Sequence, residues 1–264
     1  MSYLYSISLG VIQGLTEFLP ISSSGHLILL PKLFHFSDQG LAFDVAMHLA
    51  TALAVLIVLR KDILRIIKGM FIAKSNNKTW LYILLGIIPA GLAGFFLDSY
   101  IESNLRSPQL VAFNLIFFGF ILWLAERYSH KKTNPTNNLE KIGWRKSLVV
   151  GFTQILSLSP GTSRSGITIS TGLFANFSRE TAIKFSFILS LPLILAAGIY
   201  KATDLHIATL SSPELINLVV GFLASFISGI LAIKLMLRFI TRHGFKYLIL
   251  YRILLGIAIF FIFL

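Results

Sequence analysis

Six apolar blocks, each close to the length needed to cross a lipid bilayer, constrain this chain more than any other feature. They are residues 41–59, 80–97, 108–125, 183–200, 215–233 and 247–264. A run of about 20 apolar residues with few charges is too long for an ordinary core element and reads as a membrane helix. Composition agrees, because only 13% of the 264 residues are charged and the mean hydropathy is +0.80. A soluble domain needs roughly a quarter of its residues charged to cover its surface. The absence of cysteine excludes a disulfide scaffold, an iron–sulfur cluster, a thiolate-held zinc and a cysteine nucleophile.

The net charge of +12 would suggest nucleic acid only if the charges formed a patch. Instead they lie between the apolar blocks. Sixteen of the 23 Lys and Arg fall in three connections, residues 60–78, 126–146 and 234–246, against Lys32, Arg106 and Lys201 on the other side. The positive-inside rule places the three basic connections in the cytoplasm and makes this a multi-pass membrane protein with no nucleic-acid partner. The N-terminus has neither a basic region nor a small-residue cleavage site, so no cleavable signal is expected.

Two further apolar stretches, residues 1–35 and 147–178, are each interrupted by a polar turn, FLPISSSGH (18–26) and LSPGTSRSG (158–166). Lipid cannot satisfy an interrupted backbone, so such breaks must be buried in protein or line a wet cavity. Both stretches read as re-entrant helix–loop–helix hairpins. Shifting the chain by 141 residues aligns residues 10–25 with 151–166, with six identities in 16 positions: Gly10, Gln13, Leu15, Ser22, Ser24 and Gly25 meet Gly151, Gln154, Leu156, Ser163, Ser165 and Gly166. Chance gives about one. The expected architecture is therefore all-α: one membrane domain, 1–264, of six transmembrane helices plus two re-entrant hairpins. Repeat one covers about 1–126 and repeat two about 147–264, joined by the basic loop 127–146. An odd number of spans per repeat inverts the second copy and puts the site where the repeats meet.

The breaks carry the chemistry. Glu17 is the one carboxylate between Met1 and Leu30, and an ionisable group at membrane depth costs roughly 3 kcal/mol or more, so it marks function unless it merely reaches water at the interface. Pro20 ends the first helix, and Ser22, Ser23 and Ser24 offer hydroxyls at the start of the next, which suits an anion as well as simple capping. His26 follows Ser23 by three residues, so the two share a helix face, a hydroxyl beside a base. In the second break Arg164 stands between Ser163 and Ser165, beside Gly161 and Thr162. A guanidinium there can hold phosphate oxygens through two bonds, the plain alternative being a side chain that snorkels to the interface. Asp44 and His48, four apart on one span, form a pair, a support for the site or part of a metal site. Arg252, alone in the last span, either snorkels or pairs internally.

QGLTEFLPISSSGHLIL (13–29) and SPGTSRSGITIS (159–170), with FSFILSLPLIL (185–195), resemble the signature segments of the undecaprenyl-diphosphate phosphatase family, also called the bacitracin-resistance family. The likeness runs along nearly the whole chain. It implies hydrolysis of undecaprenyl diphosphate to the monophosphate, which recycles the lipid carrier of cell-wall synthesis. It also implies a plasma-membrane location, a site open to the extracytoplasmic (periplasmic) side, and a divalent cation, Mg2+ or Ca2+. By position in the motifs, Glu17, Ser23, His26 and Arg164 would be the catalytic group. Ser22, Ser24, Gly25, Gly161, Thr162, Ser163, Ser165 and Gly166 would bind substrate, and Glu17 with Gln13 the metal. Many members carry a second glutamate where this chain has Gln13. The nucleophile stays open among Ser23, His26 and water. The Ser-Gly-His tripeptide shared with acid-phosphatase-like lipid phosphatases is convergence, because no histidine follows Arg164 at their spacing. The rival class is a prenyl-phosphate transporter or flippase using the same anion site, since inverted repeats with broken helices also build transporters. Expected partners are a polyprenyl diphosphate and membrane lipid; the oligomeric state, a homodimer included, is left open.

Overall fold

The computed structural model describes residues 3–34, 40–72, 77–202 and 211–263. Their order is α1 (Tyr3–Phe18), α2 (Ser23–Phe34), α3 (Leu41–Val58), α4 (Arg60–Phe71), α5 (Thr79–Asn104), α6 (Pro108–His130), α7 (Trp144–Gln154), α8 (Arg164–Phe174), α9 (Arg179–Ala202), α10 (Ser212–Leu235), α11 (Thr241–His243) and α12 (Lys246–Ile262). Among the described residues the sole β feature is an isolated bridge between Thr136 and Phe177.

Five segments are long and apolar enough to cross a membrane: α3, α5, α6, α9, and α10 continued through a π turn (Met236–Ile240) and α11. The sixth expected span forms α12, whose 17 residues reach about 26 Å at 1.5 Å per residue, short of a hydrocarbon core of roughly 30 Å. The connection after α3 is not an open loop, because residues 60–71 form α4, with Ile63 and Ile66 buried and its Lys and Arg outward. The outer faces of the long helices carry exposed Phe95, Phe96, Phe113, Leu231 and Phe261, as a lipid-facing surface requires.

Small residues set how the helices pack. Ser6 Oγ donates to Asn217 Oδ1 at 3.0 Å, and one turn on, a Cβ on Gly10 would collide with the Gly221 carbonyl. Contacts that rise together along both helices mean that α1 runs parallel to α10. The same arrangement recurs between α7 and α5: Ser147 bonds to the Tyr82 carbonyl, and a Cβ on Gly151 would lie 2.8 Å from Gly86 O. Close backbone approach through small residues is how membrane helices gain packing without a hydrophobic drive between them. Ser147 and Gly151 stand 141 residues after Ser6 and Gly10.

Both breaks use one turn. Ser22 and Ser163 each have φ of 72°, a left-handed conformation uncommon for a side-chain-bearing residue. Each turns its hydroxyl back to cap the following helix: Gly25 N donates to Ser22 Oγ at 3.3 Å, and Gly166 N to Ser163 Oγ at 3.1 Å. The breaks meet inside the bundle, where Gly161 N donates to Ser22 Oγ at 3.1 Å and Ser165 Oγ donates to Leu19 O at 3.2 Å. Beneath them lies an apolar core that includes Phe18 packed edge-on against Phe187 at 5.1 Å.

Candidate active site

A chain broken in mid-bundle strands helix-end carbonyls, and two side chains from neighbouring helices collect them here. Asn114 of α6 donates through Nδ2 to Ser159 Oγ at 2.8 Å and Pro160 O at 2.7 Å. Arg252 of α12 is fully buried. Its Nε donates to Leu115 O (3.0 Å), Nη1 to Pro20 O (3.0 Å), and Nη2 to Gly161 O (3.1 Å), Thr162 O (3.0 Å) and Asn114 O (3.5 Å). The guanidinium therefore neither snorkels nor pairs with an acid; it ties Pro20 of one break to Gly161 and Thr162 of the other. Five donors in a fixed fork match this ring of carbonyls, and no other side chain could.

The collar brings Glu17 and Arg164 together. Glu17 ends α1 with its side chain 7% exposed, and Arg164 opens α8 with its side chain 17% exposed. Arg164 Nη2 donates to Glu17 Oε1 at 2.8 Å, while Ser23 Oγ and Gln13 Nε2 donate to Glu17 Oε2 at 2.8 and 3.0 Å. Three other residues singled out in the sequence, Gln13 and Ser23 from the first hairpin and Arg164 from the second, thus share the Glu17 carboxylate. Mostly buried charges of opposite sign in contact hold each other in the low-dielectric interior.

The pairing expected of Ser23 with His26 does not form. The two residues sit in the first turn of α2, yet Ser23 turns to Glu17, whereas His26 Nδ1 lies 2.7 Å from Ser22 O and Nε2 lies 2.8 Å from Tyr251 OH of α12. A carbonyl only accepts, so the His26 proton sits on Nδ1, and Nε2 accepts from the Tyr251 phenol. The phenol ring stacks on the imidazole with centroids 5.8 Å apart. A different histidine approaches the carboxylate. His48 of α3 holds its Nδ1 on Asp44 O at 2.8 Å and points Nε2 at Glu17 Oε2, 3.9 Å away.

Of the remaining expected residues, Ser22, Ser163 and Ser165 use their hydroxyls to build and join the breaks, Ser22 and Ser163 lying 3.3 and 3.2 Å from the hydroxyls of Ser24 and Ser165. Gly25, Gly161 and Gly166 are buried in the turns, and Ser24 is exposed. Gly161, with φ of 91°, leaves no room for a side chain beside the Val111 carbonyl. Three buried polar atoms here have no hydrogen-bond partner among the described residues: Arg164 Nη1, Thr162 Oγ1 and Gln13 Oε1. An orphaned guanidinium N–H calls for an anion's oxygen, and an orphaned amide oxygen calls for a donor or a cation. Glu17, Gln13 and His48 are the donors that a cation could share. No three of His, Asp and Glu gather anywhere among the described residues, so a cation here would rest on one carboxylate, one imidazole and one amide oxygen.

Asn114, in the middle of α6, and Tyr251, beside Arg252 in α12, were not singled out in the sequence. A signal was there for Asn114, a carboxamide in mid-span being costly unless partnered; none separates Tyr251 from an interfacial aromatic.

Residues 6–258 match the family described as bacitracin resistance protein BacA. The undecaprenyl-diphosphatase of Hahella chejuensis is 42% identical over 263 residues, covering 97% of this chain and 96% of that protein. Those of Chromohalobacter salexigens (41% over 268 residues, 98% of each chain) and Thermomicrobium roseum (42% over 266 residues, 95% and 94%) are equally similar.

Proposed function

The chain belongs to the BacA bacitracin-resistance family, and from that membership we propose that it is an integral membrane phosphatase. It hydrolyses undecaprenyl diphosphate to undecaprenyl phosphate and inorganic phosphate, recycling the carrier lipid and conferring resistance to bacitracin. One observation carries the assignment of the site: Glu17, Ser23 and Arg164, drawn from two breaks 141 residues apart, converge on a single carboxylate beside an unpartnered guanidinium N–H.

The protein is a multi-pass membrane protein, and we read it as six spans in two inverted repeats within the plasma membrane, with α1–α2 and α7–α8 as re-entrant hairpins. Supporting this, α1 runs parallel to α10 and α7 parallel to α5, two spans that the loop charges orient oppositely. The hairpins thus enter from opposite sides and meet at Ser22 and Gly161. The site opens to the extracytoplasmic side, and the prenyl tail lies in bilayer hydrocarbon between helices.

The diphosphate brings about three negative charges into a low-dielectric site, so compensation dominates its binding. Arg164 holds the terminal phosphate through Nη1 while Nη2 stays on Glu17, and the amide ends of α2 and α8 face the same oxygens. Ser23 is the nucleophile. Its hydroxyl already donates to Glu17 Oε2 at 2.8 Å, so Glu17 takes the proton as Ser23 Oγ attacks the terminal phosphorus in line. The bond to the bridging oxygen breaks and undecaprenyl phosphate departs with the proton that Glu17 took; water then attacks the phosphoserine, its hydroxyl leaving in inorganic phosphate and its proton passing through Glu17 to restore the Ser23 hydroxyl. His26 positions the first turn of α2 through the Ser22 carbonyl and Tyr251. A divalent cation fits the donor set of Glu17 and the orphaned Gln13 Oε1, and when bound it supplies further neutralisation of the diphosphate.

The test is phosphate release from farnesyl or undecaprenyl diphosphate by the purified protein in detergent, with and without EDTA. Release that needs metal and is lost in Arg164→Ala and Glu17→Ala supports the phosphatase. No release by folded wild-type protein on either substrate overturns it.

A further inference from the structure

His48 is the one ionisable side chain at the site that the mechanism leaves unused. Its ring is held at one nitrogen and aimed by the other. Nδ1 is 2.8 Å from the Asp44 backbone carbonyl, which can only accept, so Nδ1 carries a proton and Nε2 is the ring nitrogen turned to Glu17, a cation's partner when it holds no proton of its own. Nε2 stops 3.9 Å from Glu17 Oε2, too far for a hydrogen bond. Two electron-rich atoms facing one another across that gap are a ligand pair waiting for a positive charge. An imidazole whose far nitrogen donates to a backbone carbonyl is the usual orientation of a metal-ligating histidine.

The separation also suits a shared ion. Two donors each about 2.2 Å from one ion lie 3.9 Å apart at an angle of about 125°, within the range of flexible coordination. Gln13 completes the set. It lies one turn before Glu17 on the same face of α1, is wholly buried, and leaves Oε1 without a partner while Nε2 bonds to Glu17 Oε2. Turning the amide over, which costs only that bond, places Oε1 beside the carboxylate as a cation would require. His48, with its side chain 40% exposed against 7% for Glu17, is the more accessible of the two donors.

We propose that His48 ligates the divalent cation through Nε2, together with Glu17 and Gln13, and that this nitrogen makes the site prefer Mn2+ over Ca2+. The inference rests on the cation reading given under Proposed function and adds a ligand to it. One carboxylate, one amide oxygen and one imidazole form a softer set than two carboxylates, and imidazole favours transition ions over the hard, all-oxygen alkaline-earth ions.

The experiment is Mn2+ binding to the purified full chain in detergent, followed by electron paramagnetic resonance with echo modulation to detect coupled 14N, and Ca2+ binding by calorimetry. Expected are one Mn2+ per chain, 14N coupling in the wild type and in His26→Gln, and its loss in His48→Ala. Mn2+ affinity should fall at least tenfold in His48→Ala, with Ca2+ affinity changed less than threefold. The wild-type spectrum needs no variant to fold. Bound Mn2+ without 14N coupling, or coupling that persists in His48→Ala, overturns the ligand assignment while leaving the cation reading intact. A wild type that binds neither ion overturns both, and Glu17→Gln checks the cation reading independently, by loss of all binding.

Discussion

Arg164 Nη2 lies 2.8 Å from Glu17 Oε1, a contact between residues 147 positions apart in the chain. It joins the end of one interrupted helix to the start of another, and it leaves the second guanidinium nitrogen, Nη1, buried and without a partner among the described residues. A lysine would supply the charge but only one of the two directions. Arg164→Lys should therefore lower phosphate release by about 10²- to 10³-fold, the usual cost of one lost oxyanion donor, with the thermal midpoint in detergent nearly unchanged. Turnover assays beside a melting curve check this; equal activity in the lysine variant would show that charge alone suffices.

Ser22 and Ser23 are neighbours with different work. Ser23 donates to Glu17, whereas Ser22 Oγ accepts from both Gly25 N and Gly161 N. Ser23→Ala should abolish turnover while the protein melts normally. Ser22→Ala should instead lower stability by about 1–3 kcal/mol, because two buried N–H groups lose their acceptor. Measuring both variants for both properties separates the roles, and a swap of the two outcomes would reverse the assignment.

The Arg252 collar predicts a larger structural loss. Arg252→Met keeps the volume but strands the carbonyls of Pro20, Gly161 and Thr162 in the two breaks. At about 1–3 kcal/mol for each uncompensated buried group, the variant should scarcely accumulate in membranes. Arg252→Lys, which reaches fewer carbonyls, should fall between it and the wild type. Quantifying folded protein by size-exclusion profile decides; a Met variant as abundant as the wild type would mean that the carbonyls find other donors.

Gly151 packs against the backbone of α5, with a Cβ 2.8 Å from Gly86 O. Gly151→Leu should separate α7 from α5 and displace the second break, reducing both stability and turnover. Gly143→Ala is the comparison in open space, where nothing lies near the added Cβ and the cost is conformational alone, about 1–3 kcal/mol for φ of 80° and ψ of 153°, a region that glycine adopts and other residues rarely do. Comparable losses in both would point to backbone conformation, not packing, as the cause.

The apolar blocks, the basic connections and the two polar breaks could all be read along the chain, because hydropathy and turn chemistry are properties of short segments. So could Glu17, Ser23 and Arg164, since a charge or a hydroxyl inside apolar sequence is costly to keep unless a site uses it. The matched turns at Ser22 and Ser163 were legible through their 141-residue spacing. Residue spacing also suggested a Ser23–His26 pair, and there the reading failed: a shared helix face leaves the rotamers free, and Glu17, Ser22 and Tyr251 from outside that face made the better hydrogen bonds.

Partner choice across helices is a property of packing, and no local pattern carries it. That Arg252 turns inward to collect backbone carbonyls follows from where two broken helices leave theirs, which becomes known when α1, α6 and α12 are in place. That His48 faces Glu17 and His26 faces Tyr251 follows from the rotation of α3 and α2 about their axes. The chain order supplied the chemical groups of the site; the close approach of α1 to α10 and of α7 to α5, through small residues, brought the two breaks to a common point.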